Sequence, residues 1–303
     1  MNTAVAPTRE VLQLNNILFA SDFSPASVAA LPFAAQLARE FGAKLYAVHA
    51  KAPENYALPA TEIWPIASEQ LEKEAADLKR TLRDDYPDIT SEVVIMAGGV
   101  TSVVDHVAEA KDADLIVLGT HGRRGIGKFI LGSVAEEILR QAPCPVLTVG
   151  PHVATGQLRA NKFRKILYAS DFAEGATTTF AFVAGLAQEQ QAHLTLLHVI
   201  EKNKAGNLVQ PHEIEQFALD HLASFVKDEA GFVSKPRSIV VHGAPGEKIL
   251  EVAEREQADL IVLGLKNSKG YIRATHLPTA VAHQVISQAT CPVLTVRAYC
   301  FST

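Results

Sequence analysis

The feature that most constrains the fold of this chain is an internal repeat. Three segments of the first half recur in the second half, in the same order and almost letter for letter. They are NILFASDF at 16–23 and KILYASDF at 165–172, ADLIVLG at 113–119 and 258–264, and CPVLTV at 144–149 and 291–296. Because the spacing between the copies is nearly constant, the sequence predicts a duplicated domain with a few insertions and deletions. We place the two domains at residues 12–150 and 161–297, joined by the Gly- and Pro-containing segment 150–161.

Each half alternates apolar, β-branched runs with helical segments. The run at 115–118 is apolar throughout, which is typical of a strand that is buried on both faces of a parallel sheet. The strands predicted for the first half lie at 17–20, 44–49, 93–96, 115–118 and 146–149. Alternating strands and helices, joined by right-handed crossovers, predict a doubly wound α/β fold with helices on both faces of a parallel sheet.

Local signals fix several helix boundaries in the first half. Ser24 is predicted to cap the first helix, and Pro32 to kink that helix or delay its start. Gly42 is a predicted helix stop. The proline-rich segment 51–66 is predicted to be a loop, followed by a helix at 68–82.

A glycine-rich loop follows the fourth strand. Glycines stand at 119, 122, 125 and 127, and Gly132-Ser133 then opens a helical segment. Such a strand, loop and helix start can bind phosphate, because glycines let backbone N–H groups approach an anion and the helix N-terminus is partly positive. Three cations, Arg123, Arg124 and Lys128, lie in the same loop.

Three interpretations of these glycines compete. Gly122 to Lys128 matches the first part of a P-loop, but Phe129 stands where a P-loop has the Ser or Thr that binds Mg²⁺. In the second interpretation the motif is Gly119-x-x-Gly122, followed after nine residues by Gly132-Ser133. In the third, the loop is a connection that binds nothing.

The ends of three predicted strands should meet at one crevice. In doubly wound sheets ligands bind beyond the carboxyl ends of the strands, at the point where the strand order reverses. Asp22 lies at the end of strand one, His49 and Ala50 lie at the end of strand two, and Gly119 lies at the end of strand four. Asp22 is an acceptor for ribose or adenine in one interpretation and a helix N-cap in the other. His49, like His198 in the second half, is expected to be packed and hydrogen-bonded rather than catalytic.

The glycine spacing resembles the nucleotide-binding signature of ATP-binding universal stress proteins, and the chain as a whole resembles a tandem member of that family. The resemblance covers both halves, roughly 12–150 and 161–297. It implies two Rossmann-like domains of the adenine nucleotide alpha hydrolase type, each with a five-stranded parallel sheet of order 3-2-1-4-5. It also implies that the two halves pair through their fifth strands.

The same resemblance implies a binding site for ATP, with the need for Mg²⁺ left open. Base and ribose would lie near the first two strands, and the phosphates would lie in the glycine loop. The residues carried over by position are Ala20, Asp22, Ala50, Gly119, Gly122, Gly132, Ser133 and Val134.

The second half departs from the signature. The segment Gly264-Leu265-Lys266-Asn267 lacks the second glycine, and Thr279-Ala280 replaces Gly132-Ser133. A Cβ atom where the backbone must approach phosphate prevents close contact. We therefore expect nucleotide in the first half only, and the second half to be a structural partner or a site for another ligand.

Composition excludes several other classes of function. A formal charge of −5 argues against general binding to nucleic acid or anionic membranes, and there is no apolar run long enough to span a bilayer. The three cysteines have no metal-ligand spacing, so zinc is not expected. Cys144 and Cys291 are interpreted as small apolar residues at strand entrances. No signal peptide is visible at the N-terminus, and a cytoplasmic location fits the odd cysteine count.

The sequence therefore predicts an ATP-binding stress-response protein that acts as a nucleotide-dependent module with unidentified protein partners. It shows no nucleophile, base and orienting group in one motif, so ATP hydrolysis, if present, should be slow. The alternatives are a true enzyme, such as an ATPase or adenylate-forming transferase, and a nucleotide-free dimerisation scaffold. Homodimerisation is left open.

Overall fold

The computed structural model describes residues 12–51, 60–120, 131–154, 162–173, 175–201, 211–226, 231–265 and 277–297. The elements of the first half are β1 (Asn16–Ala20), α1 (Pro25–Val28), α2 (Leu31–Phe41), β2 (Lys44–Lys51), α3 (Ala60–Asp85), β3 (Ser91–Ala97), α4 (Val100–Ala110), β4 (Leu115–Gly119), α5 (Ser133–Gln141) and β5 (Val146–Val149). Those of the second half are β6 (Lys165–Ala169), α6 (Ala176–Gln190), β7 (His193–Ile200), α7 (Pro211–Phe225), β8 (Arg237–His242), α8 (Pro245–Glu256), β9 (Leu260–Leu265), α9 (Leu277–Gln288) and β10 (Val293–Arg297).

All ten of these strands form one sheet. Their order is β3-β2-β1-β4-β5-β10-β9-β6-β7-β8, so each half has the predicted order 3-2-1-4-5. Neighbours within a half are parallel, and β5 and β10 pair antiparallel across the boundary between the halves. The expected pairing of the halves through their fifth strands is therefore confirmed.

Two buried threonines strengthen the junction between the halves. The Thr148 hydroxyl donates to the Val293 carbonyl at 2.9 Å, and the Thr295 hydroxyl donates to the Val146 carbonyl at 3.2 Å. The two bonds are related by the internal symmetry of the antiparallel pair. They satisfy hydroxyl groups that would otherwise be costly to bury at the centre of the sheet.

The core lies on both faces of the sheet, which explains the unbroken apolar strands. In β1, Leu18 and Phe19 are fully buried and belong to different apolar clusters, because successive side chains of a strand point to opposite faces. One cluster receives side chains from α2, α3, α6 and α7, and the other from α4, α5, α8 and α9. Cys144 and Cys291 are buried in the second cluster, as predicted.

Most of the predicted helix boundaries are confirmed. The Ser24 hydroxyl accepts from the Ser27 N–H at 3.1 Å and caps α1. This helix ends at Val28, and a new helix, α2, starts one residue before Pro32. Gly42 ends α2 with a φ of +65°, a conformation that favours glycine.

The predicted loop at 51–66 is wrong for part of its length. Helix α3 begins at Ala60 and passes through Pro65, while residues 52–59 lie outside the described residues. The prediction gave the prolines more weight than the helix-forming residues between them. A proline removes one backbone donor and strains one turn, but the remaining bonds of a 26-residue helix can offset that cost.

In the described ranges, no helix is both long and apolar enough to cross a bilayer. The same ranges contain no group of three or more His, Cys, Asp or Glu side chains that could hold a metal ion.

Candidate functional site

The candidate site lies at the carboxyl ends of β1, β2 and β4. Ala20, the last residue of β1, pairs with Val48 in β2 on one side and with Leu118 in β4 on the other. Since β2 and β4 lie on opposite sides of β1 in the sheet, the strand order reverses here, and this is the switch point of the first half. The chain continues within two residues to Asp22 and Ala50, so the topology gathers these positions at one edge of the sheet.

A tight turn follows β1 and fixes the position of Asp22. The Ser21 hydroxyl accepts from the Phe23 N–H at 3.1 Å, and Asp22 Oδ1 accepts from the Ser24 N–H at 3.0 Å. Phe23 has a φ of +60°, which is rare for a residue with a side chain. Ser24, not Asp22, is the N-cap of α1, so the N-cap interpretation of Asp22 is wrong. The half-buried Asp22 carboxylate instead closes the turn with one oxygen.

His49 is packed against this turn, as predicted. Its Nδ1 lies 2.8 Å from the Ser21 carbonyl oxygen, which can only accept, so Nδ1 carries a proton. The imidazole ring lies 4.5 Å from the Phe23 ring, tilted by 32°. One ring nitrogen is thus committed to holding the ends of β1 and β2 together.

The second half repeats this arrangement at His198. Its Nδ1 lies 2.8 Å from the Ser170 carbonyl oxygen, and its ring stacks on Phe172 at 3.9 Å and 11°. Burial lowers the pKa of His198 from its ordinary value, and the Ser170 carbonyl and the Asp171 carboxylate oppose this effect only in part. The paired Ser-Asp-Phe turns therefore have a structural function in both halves.

Gly119 lies beneath helix α1. A Cβ atom at this position would be 2.5 Å from the Ala26 carbonyl oxygen, far inside van der Waals contact. At the corresponding Gly264 of the second half, the nearest atom to an added Cβ is a Thr179 methyl group at 3.6 Å, an ordinary contact. Packing of α1 on β4 is therefore sufficient reason for glycine at 119, whatever the loop binds.

Helix α5 begins beside the end of β4. The Thr120 N–H donates to the Val149 carbonyl at 3.1 Å, and the Gly132 N–H donates to the Thr120 carbonyl at 3.0 Å. Gly132 is the N-cap, and no side chain among the described residues caps this helix. Ser133 and Val134, the first two helical residues, are exposed. Their backbone N–H groups belong to the first turn, where the helix has no acceptors of its own.

The structure describes seven of the eight predicted site residues. Four are at the strand ends and three are at the start of α5; in order they are Ala20, Asp22, Ala50, Gly119, Gly132, Ser133 and Val134. Gly122 and the loop cations Arg123, Arg124 and Lys128 lie outside the described residues. Sequence reasoning missed Phe23 and Thr120, although the SDF triplet present in both repeats was a signal for Phe23.

The second half differs at the helix that corresponds to α5. The first-half N-cap, Gly132, corresponds to Thr279, but α9 begins at Leu277. Thr279 is therefore already inside the helix, and no glycine cap stands at that position. Asp171 forms the same turn as Asp22, with Oδ1 accepting from the Ala173 N–H at 3.0 Å, but Asp171 is exposed.

Comparisons with known proteins agree with this architecture. The model of the universal stress protein family matches residues 13–150 and 162–297. A universal stress protein of Methanocaldococcus jannaschii is 33% identical over 136 residues, which cover 44% of this chain and 80% of that protein. The crystal structure of a universal stress protein from Archaeoglobus fulgidus DSM 4304 covers 94% of this chain and 97% of its own, with a TM-score of 0.72 at 19% identity. This likeness shows the fold. Another universal stress protein structure from Archaeoglobus fulgidus, solved in complex with dAMP, matches 44% of this chain and 98% of its own, at 21% identity and a TM-score of 0.33.

Proposed function

The chain belongs to the universal stress protein family, and on that basis we propose that it binds an adenine nucleotide, ATP, in its first half and acts as a nucleotide-dependent stress-response module. One observation carries the proposal. The carboxyl ends of β1, β2 and β4 meet at the switch point of the first half, beside a helix that starts with a glycine cap and an exposed first turn.

The base and ribose would lie against the first two strands. Asp22 supplies a carboxylate whose position is fixed by the turn after β1, so it can accept hydrogen bonds from ribose hydroxyls or the adenine amine. Ala20 and Ala50 are small and only partly buried, which leaves room for a flat ring beside the backbone of β2.

The phosphates would lie at the start of α5. The first-turn N–H groups of Ser133 and Val134 and the positive end of the helix dipole attract anions. The Ser133 hydroxyl adds another donor. The loop cations Arg123, Arg124 and Lys128 follow β4 in sequence and could neutralise part of the phosphate charge, so the need for Mg²⁺ is left open.

The second half is not expected to bind ATP in the same way. Its equivalent helix starts earlier, and Thr279 stands in the place of the glycine cap. A residue with a Cβ atom and helical geometry at this position would keep phosphate away from the backbone that Gly132 leaves accessible in the first half.

We do not expect efficient catalysis at this site. The one histidine described at the strand ends of the first half, His49, uses Nδ1 to hold Ser21 and packs its ring on Phe23. A general base needs an orienting partner and access to the nucleophile. ATP turnover below about 1 s⁻¹, the low end of typical enzymes, is therefore expected.

The alternative, a dimerisation scaffold, has support only for the pairing of the two halves through β5 and β10. Within this chain the two fifth strands cover each other's edges, so a homodimer would have to use other surfaces. Wild-type protein without affinity for any adenine nucleotide would favour this nucleotide-free scaffold over the proposed function.

Calorimetric titration with ATP tests the proposed site. Gly132→Val should weaken ATP binding by about tenfold or more, because an added Cβ already lies 3.1 Å from the Thr120 carbonyl and a branched side chain would cover the first turn of α5. Lys128→Ala should weaken binding by about threefold at most, because in this interpretation the backbone of the loop and of α5, and not this lysine, holds the phosphates.

The near-isosteric Thr279→Val at the corresponding position of the second half is the matched control, and it should leave the affinity unchanged. If Lys128→Ala abolished binding while Gly132→Val did not, the P-loop interpretation would replace this one.

A further inference from the structure

A second candidate site lies in the second half, and β5, β10 and β9 separate it from the proposed nucleotide site in the strand order. Because the strands of the two halves run antiparallel, the two sites lie on the same edge of the sheet. A pocket of about 320 Å³ opens at the amino ends of β6, β7 and β8. Its polar lining is mostly basic and consists of Lys165, His193, Thr195, Ser234, Lys235, Arg237 and Glu256. We propose that this pocket binds a small phosphorylated anion, a function that is independent of nucleotide binding in the first half.

The pocket lies where the two halves differ at one strand position. Tyr46 in β2 pairs with Leu18 of β1, and Thr195 in β7 pairs with the corresponding Leu167 of β6. The two residues therefore occupy the same register position in the two halves. In the first half the buried Tyr46 ring fills the space, and in the second half the much smaller Thr195 lines an open pocket.

The charges around this position are also exchanged between the halves. Glu92 pairs with Tyr46 across β2 and β3, whereas Arg237 pairs with Thr195 across β7 and β8. At the ends of the adjacent helices, Lys111 follows α4 and precedes Ala113 by two residues, and Glu256 ends α8 and precedes Ala258 by two residues. The strand position that is acidic in the first half is thus basic in the second.

In the first half the charges satisfy one another around the tyrosine. The ammonium groups of Lys44 and Lys111 lie 4.7 and 5.1 Å from the Tyr46 ring centre. Both also pair with Glu92, at 2.6 and 3.5 Å. The tyrosine ring fills this position and both ammonium groups already have Glu92 as a partner, so we expect no anion site there.

Among the described residues of the second half, no aromatic ring fills the corresponding position, and three cations, Lys165, Lys235 and Arg237, line the pocket with a single carboxylate, Glu256. Glu256 accepts from Arg237 at 3.0 Å with one oxygen and from Arg255 at 3.1 Å with the other. Lys165 donates from its ammonium group to the neutral Gln257 amide oxygen at 3.1 Å. The nearby Asp259 is already engaged, since it accepts the backbone N–H groups of Arg164 and Lys165 at 2.7 and 3.0 Å.

Two further side chains suit a phosphate oxygen. His193 Nδ1 and the Ser234 hydroxyl lie 2.8 Å apart, so each fixes the other at the rim of the pocket. A guanidinium and ammonium groups around a small opening match the geometry and charge of phosphate. The volume is at the lower limit for small-molecule sites, which favours a small ligand over a whole nucleotide.

The test is an NMR titration that follows the imidazole resonances of His193 in the full chain. ATP is kept at saturation, so that phosphate does not enter the first-half site, and sodium chloride at equal ionic strength is the reference. Inorganic phosphate should shift the His193 resonances with a dissociation constant on the order of 1 mM. Glucose 6-phosphate should compete for the same site, and unphosphorylated glucose should not. The phosphate probe that binds more tightly shows whether the natural ligand is free phosphate or a phosphate ester.

Two variants locate the site. Thr195→Tyr restores the residue that the first half has at this register position, so the fold should accept it, and it should abolish the shift. Arg237→Gln should weaken binding by about tenfold; its side chain is 65% exposed, so the change should not affect folding. Arg83→Gln, which removes an exposed cation elsewhere, is the matched control and should bind as the wild type does.

Three results would overturn the proposal. The first is a phosphate titration that gives no shift beyond that of chloride. The second is Thr195→Tyr protein that binds phosphate as the wild type does. The third is a loss of binding in Arg83→Gln as large as that in Arg237→Gln.

Discussion

Gly119→Ala is expected to lower the free energy of unfolding by about 1–3 kcal/mol, although it adds a single methyl group to the chain. The added Cβ would lie 2.5 Å from the Ala26 carbonyl oxygen, 2.8 Å from its carbonyl carbon and 3.0 Å from Ser27 Cα. All three are backbone atoms of α1, so relief of the clash requires the helix to move away from the end of β4. Urea denaturation of the full chain, monitored by circular dichroism, measures the change.

The second half supplies the matched control for this prediction. Gly264→Ala makes the same chemical change at the corresponding strand end, where the nearest atom to the added Cβ is 3.6 Å away. We expect a change within about 0.5 kcal/mol, with a slight gain from the less flexible unfolded chain. Equal losses of stability in the two variants would contradict the account of α1 packing, because only Gly119 lies beneath that helix.

Asp22→Ala is expected to weaken ATP binding by about tenfold or more, since a hydrogen bond to a charged group contributes about 1.5–3 kcal/mol. The carboxylate is held at the end of β1 by the Ser24 N–H, next to the proposed ribose position. Its removal takes away the acidic acceptor of the first-half site and leaves the helix cap at Ser24 in place. Isothermal titration with ATP and adenosine separates the loss of nucleoside contacts from any loss of phosphate contacts.

Asp171→Ala is the control for Asp22→Ala. Asp171 closes the same turn in the second half, with the same carboxylate-to-N–H distance of 3.0 Å. The two variants should therefore lose similar amounts of stability, while only Asp22→Ala should lose nucleotide affinity. If both lost affinity equally, the second half would also bind nucleotide; if neither did, Asp22 would not contact the ligand.

Local chemistry made much of this fold predictable from the sequence. Ser24, Pro32 and Gly42 act through their own backbone and side-chain preferences, so their effects on α1 and α2 could be inferred without knowledge of distant contacts. The repeat, read with the apolar strand pattern, predicted two doubly wound halves. The strand order and the pairing of the fifth strands came from the family resemblance, and the sheet confirms both.

Features that depend on packing were not predictable. The reason for glycine at 119 is the carbonyl group of Ala26, which is close in space but distant in sequence. The start of α3 at Ala60 depends on how the cost of the prolines compares with the stability of the remaining turns of a long helix. The pocket beside Thr195 could not be predicted without the strand register, since only the pairing of β6 with β7 shows that Thr195 replaces Tyr46.

The central claim is that the first half holds an adenine nucleotide and the second half does not. The most direct test is to denature freshly purified protein, separate the released small molecules by chromatography and identify them by mass spectrometry. The account predicts about one adenine nucleotide per chain, because Gly132 caps α5 while the equivalent Thr279 lies inside α9, and only the glycine cap is proposed to admit phosphate. Two nucleotides per chain, or none together with no binding on titration with ATP, would contradict it.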